Sequence, residues 1–337
     1  MQNNPKPRKS VPALKDLINV EAWQDIQDNF SLVTGIDIRL IDSKGNPLIR
    51  RSNHSSALCS DYSPIAQTVK EKVCVDCLPT FLGGNGVVDR NLSFSCIPGL
   101  DNFIVPLSIE NEVLGYILMG PVILVMRKTK EQYSQIAESL NVDLEELWSA
   151  ILELKVISFH GAQSMLELVK DVGEYIVNLA YRDYMKEEGV SFKLSTVKLH
   201  KILELLLDVA FEITGADIGS VMLVDKKSDE LSIKASRGIS DDIVARTRVK
   251  LGSRISGLAA REGEAFLIDK ALKDNRISRY LERPSLNSSM VVPLKLKDTV
   301  VGVMNLAILS TSPNKFSQDG LELMRKLADL ATVAIPT

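Results

Sequence analysis

Histidine, aromatic residues and cysteine are all scarce in this sequence of 337 residues, which has three histidines, 5% aromatic residues and four cysteines. It contains no P-loop, no G-x-S-x-G nucleophile elbow and no H-E-x-x-H metalloprotease motif. With so few histidines, no Ser/His/Asp or Cys/His arrangement supplies a nucleophile together with its base. The sequence therefore predicts a protein that is not an enzyme.

Long apolar runs and an excess of basic residues are also missing. No stretch of about 18 apolar residues occurs, so no transmembrane helix is predicted, and the N-terminus lacks the apolar core of a signal peptide. The net charge of −3 leaves no basic footprint for direct nucleic-acid binding. These absences predict a cytoplasmic protein that contacts neither a membrane nor a nucleic acid directly.

The four cysteines are concentrated in one stretch. Cys59, Cys74, Cys77 and Cys96 follow the spacing C-x14-C-x2-C-x18-C. The cytoplasm keeps thiols reduced, which favours metal binding or redox chemistry over a structural disulfide. Four thiolates suit a zinc ion or an iron–sulfur cluster. Reduced thiols lining a ligand pocket, a redox pair of Cys74 and Cys77, and plain buried cysteines are the alternatives.

The length of the chain predicts two domains. In the first half, helical spacing of apolar residues alternates with short strand-like segments. The helix that contains Cys74 and Cys77 would place both thiols on one side, because residues three apart share a helix face. The predicted elements are a helix ending at Gly35, a hairpin turning over residues 43–46, a helix from Pro64 to Leu78, strands over 104–109 and 113–118, and helices from Lys128 to about Lys193.

The second half repeats this order of elements without obvious sequence identity to the first. A helix stops at Gly215, a hairpin follows, and a variable middle segment leads to a second hairpin and a closing helix. Both halves thus predict an antiparallel sheet with helices on one side, an α+β architecture. The segment EEGVSFKLS, with Gly189, is predicted to join the halves, unless the two flanking helices are nearly continuous.

The second half resembles a GAF domain. The resemblance lies in the segments LGSRISGLAAREGEAFLID, SSMVVPLKLKDTVVGVMNL and FSQDGLELMRKLADLATVAI. GAF domains resemble PAS domains in build, and they often bind cyclic nucleotides, chromophores or other small molecules, or only dimerise. This copy has no cysteine for attaching a bilin, and its only histidine, His200, lies on the first helix. The resemblance therefore leaves two alternatives for this domain: it binds a ligand of its own, or it serves only for dimerisation and relay.

The first half resembles the PocR sensory domain. The carrying residues are FSLVTGIDIRLIDSKGNPL, the cysteine of KVC, and SCIPGLDNFIVPLSIENEVLGYILMGPV. This family has a PAS-like fold and is thought to sense simple alcohols, diols and other small hydrocarbon derivatives. Cys59, Cys74 and Cys96 fall where the family's cysteines lie, whereas Cys77 is an addition that completes a set of four. That departure favours a metal centre.

The resemblances divide the chain and indicate residues that would bind a ligand. Backbone at Gly99 and Leu100 can approach a ligand closely, and Asp101 can accept a hydrogen bond from a hydroxyl. Two aromatic residues of the first helix could cap a pocket, although an apolar helix face is usually core. The predicted segments are a disordered lead-in over 1–13, a PocR-like domain over 14–186, a linker over 187–195 and a GAF domain over 196–337. The predicted ligand-binding residues are Trp23, Phe30, Cys59, Cys96, Gly99, Leu100 and Asp101, and the predicted metal ligands are Cys59, Cys74, Cys77 and Cys96.

Together these patterns predict a signal sensor with two PAS/GAF-like α+β domains joined by long helices. A small molecule, or a zinc ion or iron–sulfur cluster in the alternative reading, would change the packing of the first sheet. The long helix from Gly161 to Lys186 would carry that change to the GAF domain, and helices around residues 163–210 would form a homodimer. The output would be a separate kinase or regulator, or an output domain absent from this chain.

Overall fold

Two antiparallel sheets, one from each half of the chain, lie on either side of a layer of helices in the computed structural model. Each sheet comes from hairpins, and its central strands are buried along most of their length. This arrangement confirms the predicted α+β class. The structure describes residues 11–52, 56–59, 64–69, 91–187, 199–269, 276–277, 285–296 and 298–332.

The first half forms a sheet with the order β1-β4-β3-β2, and a short β5 pairs in parallel with the end of β4. Helix α2 ends where Gly35 adopts φ 68°, the left-handed cap predicted from the sequence. Its elements are α1 (Leu14–Leu17), α2 (Val20–Thr34), β1 (Ile38–Asp42), α3 (Pro64–Val69), β2 (Leu92–Ile97), β3 (Leu100–Ile109), β4 (Glu112–Leu124), α4 (Lys130–Leu140), α5 (Leu144–Glu153), β5 (Val156–Ile157) and α6 (Phe159–Glu187).

The second predicted hairpin of this half forms as expected, whereas the first is shorter than expected. Strands β3 and β4 meet at Glu110 and Asn111, which both adopt positive φ, as a two-residue turn of type I′ requires. After β1, only an isolated bridge links Ile41 to Pro47, so no second strand forms there. The bridge lies between two backbone hydrogen bonds, from the Asp42 N–H to the Asn46 carbonyl oxygen and from the Leu48 N–H to the Leu40 carbonyl oxygen, so the pairing with β1 is limited to residues 46–48.

The second half forms a six-stranded sheet with the order β8-β7-β6-β11-β10-β9, antiparallel throughout. Helices cover both faces, not one as the pattern predicted, because separate apolar clusters form on the two sides. Its elements are α7 (Leu199–Thr214), β6 (Ile218–Asp225), β7 (Glu230–Arg237), α8 (Asp241–Arg246), β8 (Arg248–Lys250), α9 (Arg254–Glu262), β9 (Phe266–Ile268), β10 (Leu286–Leu296), β11 (Thr299–Leu309) and α10 (Gln318–Thr332).

The layer between the two sheets consists of α2 and α6 from the first half and α7 and α10 from the second. One continuous apolar cluster includes buried residues from both sheets and from all four helices. At the surface of this layer, the Lys326 ammonium on α10 donates to Asn29 on α2 over 3.1 Å. The two halves therefore share a core rather than being connected only by a linker.

Helices α6 and α7 lie side by side and antiparallel. The Lys201 ammonium on α7 lies 2.9 Å from the Glu167 carboxylate on α6, and the hydrogen bond that it donates holds the pKa of Glu167 below its usual value. Farther along, the Glu212 carboxylate accepts hydrogen bonds from the backbone N–H and hydroxyl of Ser158, at 2.8 and 2.9 Å. This Ser158–Glu212 contact links the two halves where α6 begins. The two helices are thus not nearly continuous, which was one of the sequence-based alternatives.

This packing limits the predicted route to a homodimer. Apolar residues of α6 and α7 within residues 163–210, such as Leu168 and Leu206, are buried inside the chain. A dimer through these helices would have to use their remaining, more polar faces. None of the helices in the described ranges is long and apolar enough to cross a membrane.

Candidate functional site

The turn between β2 and β3 gathers four of the residues predicted to bind a ligand. Cys96 lies near the end of β2, Gly99 adopts φ 90°, and Leu100 is buried at the start of β3. The Cys96 thiol donates to the Leu100 carbonyl oxygen over 3.9 Å. The Asp101 carboxylate accepts a 2.7 Å hydrogen bond from the Ser95 hydroxyl. The structure therefore brings Cys96, Gly99, Leu100 and Asp101 together at one end of the sheet.

A buried tyrosine that the sequence analysis did not single out lies beside this turn. The Tyr133 hydroxyl on α4 is 3.5 Å from the point that a Cβ on Gly99 would occupy. This hydroxyl has no hydrogen-bond partner among the described residues, and burial raises the pKa of Tyr133 against a smaller opposing effect of Arg127. A buried polar group without a partner costs about 1–3 kcal/mol. In the sequence, Tyr133 belongs to an apolar helical stripe, which predicts a core residue. Only its hydroxyl indicated that it could also bind a ligand.

The other two predicted ligand-binding residues lie elsewhere. Trp23 and Phe30 are buried on α2 and face the helical layer, where they line a cavity of about 20 Å³ with Leu330 of α10. Gly173 of α6 lies against the same cavity, since a Cβ there would come within 3.3 Å of the Trp23 ring. The structure thus places these aromatic residues at the junction of the two halves and not beside the Cys96 turn.

The predicted cysteine centre is only half described. Cys74 and Cys77 lie outside the described residues, while Cys59 accepts a hydrogen bond at its carbonyl oxygen from Arg51. Leu58, next to Cys59, belongs to the same apolar cluster against which Cys96 packs. In the part of the chain that the structure covers, no three His, Cys, Asp or Glu side chains converge as a metal site would require. The four-cysteine centre therefore stays a prediction.

The face of the first sheet that points away from α2 and α6 is buried and mainly apolar. Ile41, Ile104, Tyr116 and Leu118 form a separate cluster there, with Phe94 partly buried against it. Strand pairing places these side chains in rows across the sheet, because residues opposite each other in register share a face. A buried sheet face of this kind can enclose a small apolar ligand.

Polar side chains lie at one end of this face. Arg39 pairs with Leu118 in register, and its Nε lies 4.0 Å from the carboxylate of the buried Asp37. Asn102 is also buried, and its side-chain oxygen lies 2.8 Å from the point that a Cβ on Gly120 would occupy. The Asn102 amide nitrogen has no hydrogen-bond partner within the described ranges. An apolar face with a few convergent polar groups is the usual composition of a small-molecule site.

The second domain contains a cavity of about 240 Å³ between its sheet and helices α8 and α9. Most of its wall is apolar, with Met222, Ile233 and Val291 from the sheet and Ile255 from α9. The mouth includes Arg254, the exposed first residue of α9, whose φ of 53° is unusual for a residue with a side chain. A cavity of about 150 Å³ is enough to bind benzene, so this cavity has room for a small organic ligand.

A chain of hydrogen bonds crosses the wall of this cavity. The Ser256 hydroxyl donates to the side-chain oxygen of Asn305 over 2.7 Å, and the Asn305 amide donates to the Ser220 hydroxyl over 3.3 Å. These three side chains come from α9, β11 and β6, so they bind the helix to the sheet. A ligand that competes for Ser256 or Asn305 would therefore act directly on the position of α9.

Comparison with solved structures finds GAF domains. The GAF domain of a phosphoenolpyruvate-protein phosphotransferase from Acinetobacter is 22% identical over 45% of this chain and 89% of that chain, with a TM-score of 0.35. The second GAF domain of DevS from Mycobacterium smegmatis is 26% identical over 41% of this chain and 92% of that chain, with a TM-score of 0.33. Comparison with curated proteins gives no significant match.

Two family models match consecutive parts of the chain in the order that the sequence motifs predicted. Residues 16–181 match the sensory domain found in PocR, and residues 196–335 match the GAF domain. The two matched ranges correspond to the two sheets and their helices. The chain is therefore a signal-sensing protein that consists of a PocR sensory domain followed by a GAF domain.

Proposed function

We propose that the PocR domain binds a simple alcohol, a diol or a related hydrocarbon derivative on the buried face of its sheet. Binding changes how the sheet packs on α6, and the helical layer passes this change to the GAF domain. The output goes to a separate kinase or transcription regulator. In this proposal the protein is a cytoplasmic, non-enzymatic homodimer, and its GAF cavity either receives a second small ligand or serves the relay.

The observation that carries this proposal is the buried Asn102 amide nitrogen, which has no hydrogen-bond partner within the described residues. A ligand hydroxyl that accepts from this amide would remove a penalty of about 1–3 kcal/mol. The neighbouring Ile104 and Leu118 suit the hydrocarbon part of such a ligand. Arg39 and Asp37 supply a donor and an acceptor for a second hydroxyl.

Replacing Asn102 with leucine should weaken binding of a short diol by about tenfold or more, because one ligand hydroxyl loses its partner. Isothermal titration calorimetry with ethanol, 1,2-propanediol and glycerol measures the change. The matched control is Ser256→Leu, which fills the GAF cavity and leaves the PocR sheet unaltered.

The two variants together locate the site. Loss of binding in Asn102→Leu with retention in Ser256→Leu supports the proposal. The reverse result would move the ligand to the GAF domain and overturn the assignment. Unchanged binding in both variants, or no binding of any of these alcohols to the folded protein, would also contradict it.

The alternative proposal is a redox or metal sensor with a zinc ion or an iron–sulfur cluster held by Cys59, Cys74, Cys77 and Cys96. It is supported by the packing of Cys96 against the cluster that contains Leu58, the neighbour of Cys59. Four thiolates form the usual ligand set of both groups. Under this proposal the bound metal, and not an alcohol, would fix the packing of the turn at Cys96.

Protein purified without oxygen should then contain either about one zinc per chain or iron and sulfide with visible absorption. Metal analysis by mass spectrometry and an absorption spectrum distinguish these results. The variant Cys77→Ser should lose the metal, whereas Ser95→Ala, beside Cys96 on β2, should keep it. Metal-free wild-type protein with four titratable thiols would contradict the metal proposal and leave the alcohol proposal standing.

A further inference from the structure

Five large apolar side chains are exposed close together on the PocR domain. Met126 is 78% exposed, Val125 71% and Phe159 66%, and Leu152 and Val156 are 49% and 41% exposed. Among the described residues, only Val20 and Ile243 are large apolar side chains with comparable exposure elsewhere. Single exposed apolar residues are common, but a group of five is not.

These side chains come from two segments that backbone contacts hold side by side. The Val125 N–H donates to the Ile157 carbonyl oxygen over 2.9 Å, next to the parallel pairing of β4 with β5. The Arg127 guanidinium donates to the Leu154 carbonyl oxygen over 2.8 Å and to that of Leu152 over 3.3 Å. The five residues therefore form one surface, which we call the β5 patch.

The backbone at the start of the β5 patch is strained. Val125 adopts φ 64°, and the Met126 N–H donates to the Leu124 carbonyl oxygen over 2.7 Å, which makes a tight three-residue turn. A β-branched residue at positive φ costs about 1–3 kcal/mol and persists only where the surroundings enforce it. This turn presents Val125 and Met126 to solvent, although glycine would relieve the strain.

We propose that the β5 patch is the surface through which two copies of this chain associate. The five side chains expose roughly 400–500 Å² of apolar area, within the range at which a patch is often functional. A standard interface buries about 800 Å² per partner, of which about 65%, or roughly 520 Å², is apolar in homodimers, so the patch would supply most of the apolar area of such an interface. The inference names a surface for the self-association in the proposed function and does not depend on the ligand.

Charge and the packing of the helices favour a second copy over another partner. Basic and acidic residues both flank the patch, namely Arg127, Lys128, Lys155 and Glu153. An acidic side chain of one copy can therefore lie against a basic side chain of the other across a two-fold axis. The alternative surface, on α6 and α7, has most of its apolar residues occupied within the chain.

The β5 patch also adjoins the junction with the GAF domain. Phe159 directly follows Ser158, and Val156 precedes it by two residues; the N–H and hydroxyl of Ser158 donate to the Glu212 carboxylate of α7. A second copy that contacts Phe159 would therefore also affect the position of the segment that connects β5 to α6 at this junction. Self-association at Phe159 is thus linked to the relay between the domains through the contact of Ser158 with Glu212.

Light scattering over a range of concentrations tests the inference. Wild-type protein should be dimeric, and Met126→Glu should raise the dimer dissociation constant about 30-fold or more, because it buries a charge in the interface. Phe159→Asp should do the same. Ile243→Asp is the matched control, since Ile243 is 54% exposed on α8 of the GAF domain and should leave the dimer intact.

Two results would overturn the inference. One is wild-type protein that is monomeric at every concentration, and the other is a dimer that persists in both Met126→Glu and Phe159→Asp. Circular dichroism shows whether each variant is folded, and Met126→Ala provides a milder test at the same position. Calorimetry with the diol on the monomeric variant separates this inference from the proposed function, because loss of the dimer should leave ligand binding in place.

Discussion

Replacing Phe30 with alanine should lower the free energy of unfolding of the whole chain by about 3–5 kcal/mol. Phe30 is buried on α2, within the cluster that joins both sheets. Its ring lines the small cavity at the domain junction, together with Val169 of α6 and Leu330 of α10. Removing the ring enlarges this cavity, and the rigid helices on both sides cannot close it fully.

The effect should not be confined to the PocR domain. Because one cluster includes buried residues of both domains, unfolding of one half exposes apolar surface of the other. The chain is therefore expected to unfold in a single cooperative transition. Met324→Ala, at a buried position of α10 in the GAF domain, should likewise lower the stability of the PocR domain.

The positions of the two tryptophans make this cooperative unfolding measurable. Both tryptophans of the chain, Trp23 and Trp148, lie in the PocR domain, so tryptophan fluorescence reports on that domain and, through Trp23, on its junction with α10. Circular dichroism reports on the helices of both domains. In denaturant, the two signals should change together in wild-type protein and shift together in Phe30→Ala and Met324→Ala. Two separated transitions, or a fluorescence transition unmoved by Met324→Ala, would contradict a shared core.

Gly115→Ala and Gly302→Ala should each destabilise the chain by about 3 kcal/mol, through overpacking in a sheet. Gly115 lies in β4, where a Cβ would come within 2.4 Å of the Ile41 carbonyl oxygen of β1. Gly302 lies in β11, where a Cβ would come within 2.3 Å of the Met222 carbonyl oxygen of β6. Both collisions are with the backbone of a paired strand, so no side-chain rotation relieves them.

A third glycine provides the control. Gly320 lies in the first turn of α10, and the nearest atom to its Cβ position is the Ser317 hydroxyl at 3.4 Å. Gly320→Ala should therefore stabilise the chain by about 0.5–1 kcal/mol, because alanine loses less conformational entropy in a helix. Equilibrium denaturation measures all three variants. An unchanged denaturation midpoint in Gly115→Ala or Gly302→Ala would contradict the close approach of the paired strands at that glycine.

Helix ends and hairpins were predictable from local chemistry. Gly35 and Gly215 adopt left-handed φ directly after α2 and α7, as a glycine that stops a helix should. The β3–β4 hairpin followed from two apolar segments around Glu110 and Asn111.

The helical layer could not be predicted, because an apolar stripe does not identify its partner. The stripe of α7, with Leu203 and Leu206, fits a second copy of the chain as well as it fits α6. The same limitation affected Trp23 and Phe30, whose apolar helix face was compatible with a ligand pocket and with a core. Packing against α6 and α10 resolves the ambiguity in favour of the domain junction.

The candidate site was predicted in part. The turn at Cys96 and Gly99 was visible as a glycine after a strand, whereas Asn102 was hidden within an apolar strand segment. A polar residue inside an apolar strand segment can indicate a binding role, but the register of strand pairing is needed to decide which face of the sheet it occupies. The role of Tyr133 could not be predicted, because its ring fits the apolar stripe of the helix and the periodicity of the sequence does not depend on its hydroxyl.

The antiparallel seam between α6 and α7 has a mechanical consequence. In a continuous signalling rod, motion travels along the helix axis, and adding residues rotates everything beyond the insertion. Here the two helices touch along their sides, from Lys201 beside Glu167 to Glu212 beside Ser158. In the proposed relay, motion would cross this seam as a lateral shear, which packed helices accommodate by small sliding displacements. The fit between the two helix faces, and not the number of residues that connect the helices, would then determine how much of the motion reaches the GAF domain.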